Sequence, residues 1–450
     1  MQALTRQAGT WKWGILCLLF LAPFFFLSYG FANHYAAGLS HVPSIVFSWE
    51  KYIPLWPWSI VPYWSIDLFY GLSLLLCWNK FELKQHVFRL FSAQLISISC
   101  FLLFPLKFSF ERPELQGFFG VWFDILMGFD KPFNQAPSLH IVLLMILWDF
   151  YRRHVPSLYR WIVDLWSFLI AVSVLTTWQH HFIDIPTGIW VGAFCLWLFP
   201  LHVVSPLQAQ KLQQRTFKHF KLASYYLIAA CLLAFLALFL KGWMLWLAYP
   251  ANSLFLVACA YGLNRPHFFQ KQSDGTMSIA AWILFSPYFL FAKLNSRIWT
   301  RTHPNDSLIL TKENTEIFLG RIPSTQNMQQ YNGLFDCCAE LPIKQQLTYQ
   351  QFLSLDLIPL QAEQLNLAVQ ALNQLLSSQY GNTKILIFCA LGYSRSSSIL
   401  AAWLLQTGHA HHVDDAIQII RQARPWIVLN TQQLAAIDTY QKQYLQQVKT

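Results

Sequence analysis

Apolar residues crowd the first 295 positions in long runs, and polar, Gln-rich sequence takes over the last 150. Runs near the roughly 20 residues that cross a bilayer fall at about 13–32, 58–78, 88–105, 138–151, 161–179, 185–202, 222–240 and 244–262. A ninth stretch, 277–292, is short and broken by Ser286-Pro287, which suits an interfacial or re-entrant element better than a span. Beyond it the period changes. "KILIFC" reads as a buried strand, and "RSSSILAAWLLQTG" as a helix stopping at Gly408. "AEQLNLAVQALNQLLSS" is amphipathic at helical spacing, and the Gln-rich tail fits a terminal helix capped by Asn430 or Thr431. The expected fold is therefore an all-α polytopic helix bundle over residues 1–295, followed by an α/β domain over 300–450.

Composition agrees: the chain is 55% hydrophobic and only 12% charged, against about 25% charged in ordinary globular domains. The net charge of +10 comes with no stripe of basic residues and interleaved aromatics, so a nucleic-acid partner is not expected. With the N-terminus inside, most Lys and Arg, Lys211 and Lys271 among them, fall on cytoplasmic loops. Lys51, Lys107, Arg112, Lys131 and Lys241 are left outside. Eight spans then keep the C-terminal domain in the cytoplasm. Six cysteines lie in apolar segments; Cys337, Cys338 and Cys389 belong to the C-terminal part, and no zinc-type spacing or disulfide framework appears.

Three polar islands interrupt the outer loops: "PLKFSFERPEL", "NQAPSLHIV" and "TTWQHHFIDIPTG". His180 and Asp184 are four apart, so on a helix the carboxylate can hold one ring nitrogen and leave the other as nucleophile or base. Arg112 and Lys107 suit phosphate oxygens, and His140 suits protonation of a leaving alkoxide. In this order the islands resemble the type 2 phosphatidic acid phosphatase (PAP2) superfamily over about residues 55–205. The resemblance implies a phospho-histidine on His180, oriented by Asp184, with His140 as general acid. Arg112, Lys107 and Ser138 would bind phosphate. Four residues separate Lys107 from Arg112 where the family has six, Leu139 replaces a glycine, and Thr176-Thr177 stand where an arginine is usual. These departures lean towards the sphingomyelin and inositol-phosphorylceramide synthase branch, which passes a phospho-headgroup to another alcohol.

In the C-terminal part, Cys389-Ala390-Leu391-Gly392-Tyr393-Ser394-Arg395 joins the expected strand to the expected helix. Such a loop aims backbone N–H groups into one concavity at a positive helix end, which cradles phosphate and favours a thiolate. Gly392 allows the tight turn, Arg395 reaches back to the phosphate, and Asp356 in "FLSLDLIPL" supplies an acid. Over about 315–447 the sequence resembles the dual-specificity branch of the protein tyrosine phosphatase superfamily, with "EIFLGRIP" and "GLFDCCAELP" as its first strands. That resemblance implies Cys389 as nucleophile, Arg395 as transition-state ligand, Ser396 as helper of the leaving thiolate and Asp356 as acid, then base. Phe388 stands where the family usually has His. Cys337 and Cys338 read as strand core, with a protective disulfide to Cys389 as the minor alternative. "HAHH" at 409–412 reads as a solvated helix start rather than a metal site.

The expectation is a bifunctional membrane phosphatase with no metal or cofactor, acting on a phosphorylated lipid outside and a phosphorylated lipid or phosphoprotein inside. Two alternatives stay open: a headgroup transferase in the membrane half, and a phospho-ligand binding module at the C-terminus.

Overall fold

The pairing of Gly188 and Gly192 one turn apart sets the geometry of the N-terminal helices. A Cβ at Gly188 would come to 2.8 Å from the Ile141 side chain, and one at Gly192 to 2.6 Å from that of Met145. Small residues at this spacing let two helices close on each other. In the computed structural model, which describes residues 5–208, 215–312, 314–345, 347–379 and 381–446, the chain forms two units, Met1–Leu207 and Gln208–Thr450. Lys211 lies outside the described residues.

The first unit is helical: α1 (Thr10–Ala37), α2 (Ile60–Leu76), α3 (Lys80–Leu103), α4 (Gly117–Phe129), α5 (Leu139–His154), α6 (Arg160–Thr176) and α7 (Asp184–Leu198). The close pair is α5 with α7, and Ser138 N–H donates to Asp184 O at 3.1 Å where the two begin. At the opposite end of the bundle, Arg153 meets buried Glu82 at 2.6 Å and Arg89 meets Asp149 at 3.1 Å, so the buried charges are paired.

The second unit opens with α8 (Phe217–Leu240), α9 (Ala248–Gly262) and α10 (Ile279–Trp299). Six of the eight expected spans, those of α1, α2, α3, α6, α8 and α9, are long and apolar enough to cross a membrane among the described residues. The other two are shorter, at 16 residues in α5 and 15 in α7. The stretch read as broken at Pro287 is instead one continuous helix, α10. Proline there removes an N–H that Ile283 O would have accepted, and the Tyr249 hydroxyl donates to that oxygen instead. α4, between two of the expected spans, is an addition the apolar pattern of "GFFGVWFDILMGF" explains.

After α10 come β1 (Ser307–Lys312), β2 (Thr315–Arg321), α11 (Thr325–Met328), β3 (Gly333–Cys338), β4 (Thr348–Ser354), α12 (Ala362–Ser377), β5 (Thr383–Cys389), α13 (Arg395–Gln406), α14 (Val413–Ala423) and α15 (Thr431–Tyr440). The sheet order is β1-β2-β5-β3-β4, antiparallel only between β1 and β2. β5 is central, and its run Ile385 to Cys389 is fully buried because both faces are covered. Ile385, Ile387 and Cys389 share a core with Leu365, Val369, Leu400 and Ile437 of the helices α12, α13 and α15. Leu386 and Phe388 point to the other face, packed with Leu334, Leu341 and Ala292 of α10. An apolar cover on that face accounts for a phenylalanine rather than a polar ring at position 388.

Candidate active sites

β5 delivers Cys389 to the middle of the sheet, and α13 begins six residues later, so the loop between them must turn sharply. Gly392 makes the turn at φ +70°, and a Cβ there would come to 2.2 Å from Gly320 O. The loop's carbonyls are taken up from outside. Ala390 O accepts from the Ser296 hydroxyl at 2.6 Å, Gly392 O from Arg424 Nε at 2.9 Å, and Tyr393 O from Val428 N–H at 2.9 Å. Leu391 O accepts from Arg424 at 3.5 Å, and Ser394 Oγ accepts from Gln433 Nε2. With the carbonyls engaged outward, the loop amides are left for the concave side, where Gly392 N–H donates to Cys389 Sγ at 3.2 Å.

Arg395 folds back over this concavity. Its guanidinium makes a bidentate pair with Glu340 at 2.6 and 2.9 Å, donates to Ser354 O at 2.9 Å, and contacts Asp356 at 3.0 Å. Burial alone raises the Cys389 thiol, but the Arg395 charge and the hydroxyl and amide of Ser396 outweigh it and hold the thiol below its ordinary value. Ser396 Oγ lies 3.4 Å from Sγ. Asp356 goes the other way: burial first, then the nearby Glu340 charge, raise its carboxyl despite Arg395. A lowered thiol beside a raised carboxyl is a nucleophile beside an acid. Glu340 itself is held low by Arg395 against the effect of burial.

Residues 340–443 match the dual specificity phosphatase catalytic domain. The α/β half of this chain carries a phosphatase domain. Its structure is similar to that of PTPMT1 in complex with PI(5)P at 18% identity and TM-score 0.24, covering 29% of this chain and 92% of that one. It is also similar to human DUSP28 at 15% identity and TM-score 0.27, covering 32% and 99%. A third is a leucine rich repeat and phosphatase domain containing protein from Entamoeba histolytica, at 13% identity and TM-score 0.28, covering 34% and 99%. No curated protein matches the chain.

Two residues of the phosphatase domain escape sequence reasoning. Glu340 closes β3's exit and Arg424 sits just past α14, yet both are buried and both act on the Cys389 loop or its arginine. The only local signal is a charge abutting an apolar strand in "CCAELP" and an Arg before Pro in "RQARPW". Cys337 is buried in the same core as Cys389, and both are free thiols. In the 409–412 run, His409 contacts the Thr407 hydroxyl at 2.8 Å and His412 caps α14.

The first, helical unit gathers part of its expected set. Asp184 Oδ2 accepts from His180 Nδ1 at 3.2 Å and from His181 N–H at 3.0 Å. His140 lines the same pocket as His180, with Tyr29, Tyr63, Asp67 and Asp130 also in its wall. His140 Nε2 donates to Tyr63 O at 2.8 Å, and the two rings stack at 4.0 Å. Ser138 caps α5 and is buried. Arg112 turns to Trp178 O at 2.8 Å and over the Phe123 ring, while Lys107 is exposed outside that pocket lining. His181 is a hub beside the pair. Its Nε2 accepts from Ser109 N–H at 3.1 Å, so Nδ1 carries the proton and donates to Glu50 at 2.9 Å. Glu50, Asp67 and Asp130 were not legible as site residues, because each reaches the histidines from a distant loop or helix.

Proposed function

We propose that this chain is a bifunctional integral-membrane phosphatase, with a cysteine site in its phosphatase domain and a histidine site in its membrane unit. For the cysteine site the carrying observation is Cys389 Sγ, buried at the head of α13, receiving Gly392 N–H and the Ser396 hydroxyl while Arg395 stands across the loop. The thiolate attacks phosphorus, the P–O ester bond breaks, and Asp356 gives its proton to the departing alkoxide. Water, deprotonated by Asp356, then attacks the cysteinyl phosphate and releases inorganic phosphate, with Ser396 stabilising the returning thiolate. Retention of both nucleophile and acid supports catalysis over simple ligand capture, which needs only the loop and Arg395.

For the membrane unit, the His180–Asp184 pair and the placing of His140 in one pocket with His180 support a phospho-histidine route on a lipid phosphomonoester. His180 is the nucleophile, Asp184 holds its ring, and His140 is the acid. By the family resemblance Arg112 and Ser138 are phosphate ligands, with Lys107 as a further cation. Neither route uses a metal or cofactor.

The test is release of phosphate from an aryl phosphate and from phosphatidic acid by the purified full chain. The expected result is that Cys389→Ser lowers the turnover remaining in a His180→Ala background by about a thousandfold or more. Unchanged turnover in the double variant sinks the cysteine assignment, and unchanged phosphatidic acid release in His180→Ala sinks the histidine one.

A further inference from the structure

Within the second unit, α10 has two unlike faces. Ser296, 1% exposed, donates to Ala390 O in the Cys389 loop, and the Tyr393 hydroxyl of that loop donates to Trp299 O at 3.1 Å. On the other side, Phe291 is 67% exposed and Ile298 63% exposed, with Leu294 between them on the same helical face. Lys293 and Arg297 flank this stripe and Trp299 ends it. An apolar stripe bordered by basic residues and closed by tryptophan is the pattern of a helix lying in a membrane interface. α10 also follows two helices long and apolar enough to span, α8 and α9.

The same three helices bring a tyrosine cluster near the acid. Tyr226 of α8, Tyr261 of α9 and Tyr288 of α10 cluster, with Tyr226 at 5.2 Å from Tyr261 and 5.9 Å from Tyr288 between ring centres. All three stand within electrostatic reach of Glu340 and Asp356, and Lys218, in the first turn of α8, stands within reach of Asp356. The cysteine loop is thus held directly against α10, whose outer face suits acyl chains, with α8 and α9 near its acid. We infer that the cysteine site acts on a phosphate monoester borne by the headgroup of a membrane lipid, drawn from the bilayer that holds α8 and α9. A phosphorylated protein would have to reach the loop past that surface. The inference rests on the phosphatase reading above and adds its substrate class.

The experiment uses the full-length His180→Ala protein in phosphatidylcholine vesicles. Three probes are compared: a long-chain phosphatidylinositol monophosphate, its water-soluble inositol phosphate headgroup, and a phosphotyrosine peptide. The lipid is expected to exceed both others by about tenfold or more in kcat/KM, since binding energy remote from phosphorus is available only to it. Its rate should follow mole fraction in the vesicle surface rather than bulk concentration. Leu294→Asp with Ile298→Asp should lower lipid turnover by about tenfold and leave aryl phosphate turnover unchanged. Peptide turnover equal to or above that of the lipid overturns the inference, as does a double variant that spares the lipid or lowers both substrates alike. Absence of Cys389-dependent aryl phosphate turnover in the parent protein marks failure of the phosphatase reading itself.

Discussion

Cys389 and Asp356 are pushed in opposite directions by one neighbourhood, and a pH profile separates them. Catalysis needs the thiolate and the protonated carboxyl together. With the thiol held below its ordinary value by Arg395 and Ser396, the acid limb of kcat/KM follows loss of thiolate. With the carboxyl raised by burial and Glu340, the alkaline limb follows loss of the Asp356 proton. Asp356→Asn is expected to remove the alkaline limb and lower kcat by about a hundredfold at the optimum. Retention of that limb in the variant would assign it to another group. The Cys389, Gly392, Arg395 and Ser396 positions were legible because strand, turn and helix signals are local and contiguous. Glu340 was not, since its contact with Arg395 spans 55 residues and exists only once β3 and β5 are neighbours.

At the scale of elements, the central strand follows from its hydrophobic run and its two parallel neighbours from the family resemblance, whereas β1 and β4 follow from neither. β4, "TYQQFLS", is half polar because it lies at the sheet edge, and β1 is likewise an edge strand with mixed burial. Lys271 shows the limit of counting charges by loop. It lies between α9 and α10, yet its ammonium is fully buried, paired with Asp336 and donating to Cys338 O at 2.8 Å and Leu341 O at 2.7 Å. The Tyr349 hydroxyl also donates to Asp336, at 2.8 Å. This cation therefore joins the helical part of the second unit to β3 and its exit. Lys271→Met should destabilise that unit by about 3–5 kcal/mol, because it strands a buried carboxylate. Lys271→Met with Asp336→Asn should recover part of the loss. Thermal unfolding of the full chain in detergent measures both, and equal midpoints for the single and double variants would show that the pair is not coupled.

For the molecule as a whole, the sense of the basic loops, taken with eight spans, predicts a C-terminal domain on the inner side of a membrane. α10 is a continuous helix of 21 residues, but Lys293 and Arg297 in its last two turns, and Ser296 bonded to the Cys389 loop, suit it to the interface rather than the bilayer core. A fluorescent protein fused after Thr450 should therefore fluoresce in cells, and a secreted-phosphatase reporter at the same point should stay inactive. The reverse pattern would make α10 a ninth span. The contacts of Arg395 also bear on the order of events in the proposed reaction. If Arg395 grips the phosphate as proposed, an arriving dianion would compete with Asp356 for the guanidinium nitrogen that contacts it at 3.0 Å. The carboxyl would then be set free to act as an acid by the arrival of its own reactant, and the proton donor would stay idle until there is a bond to break.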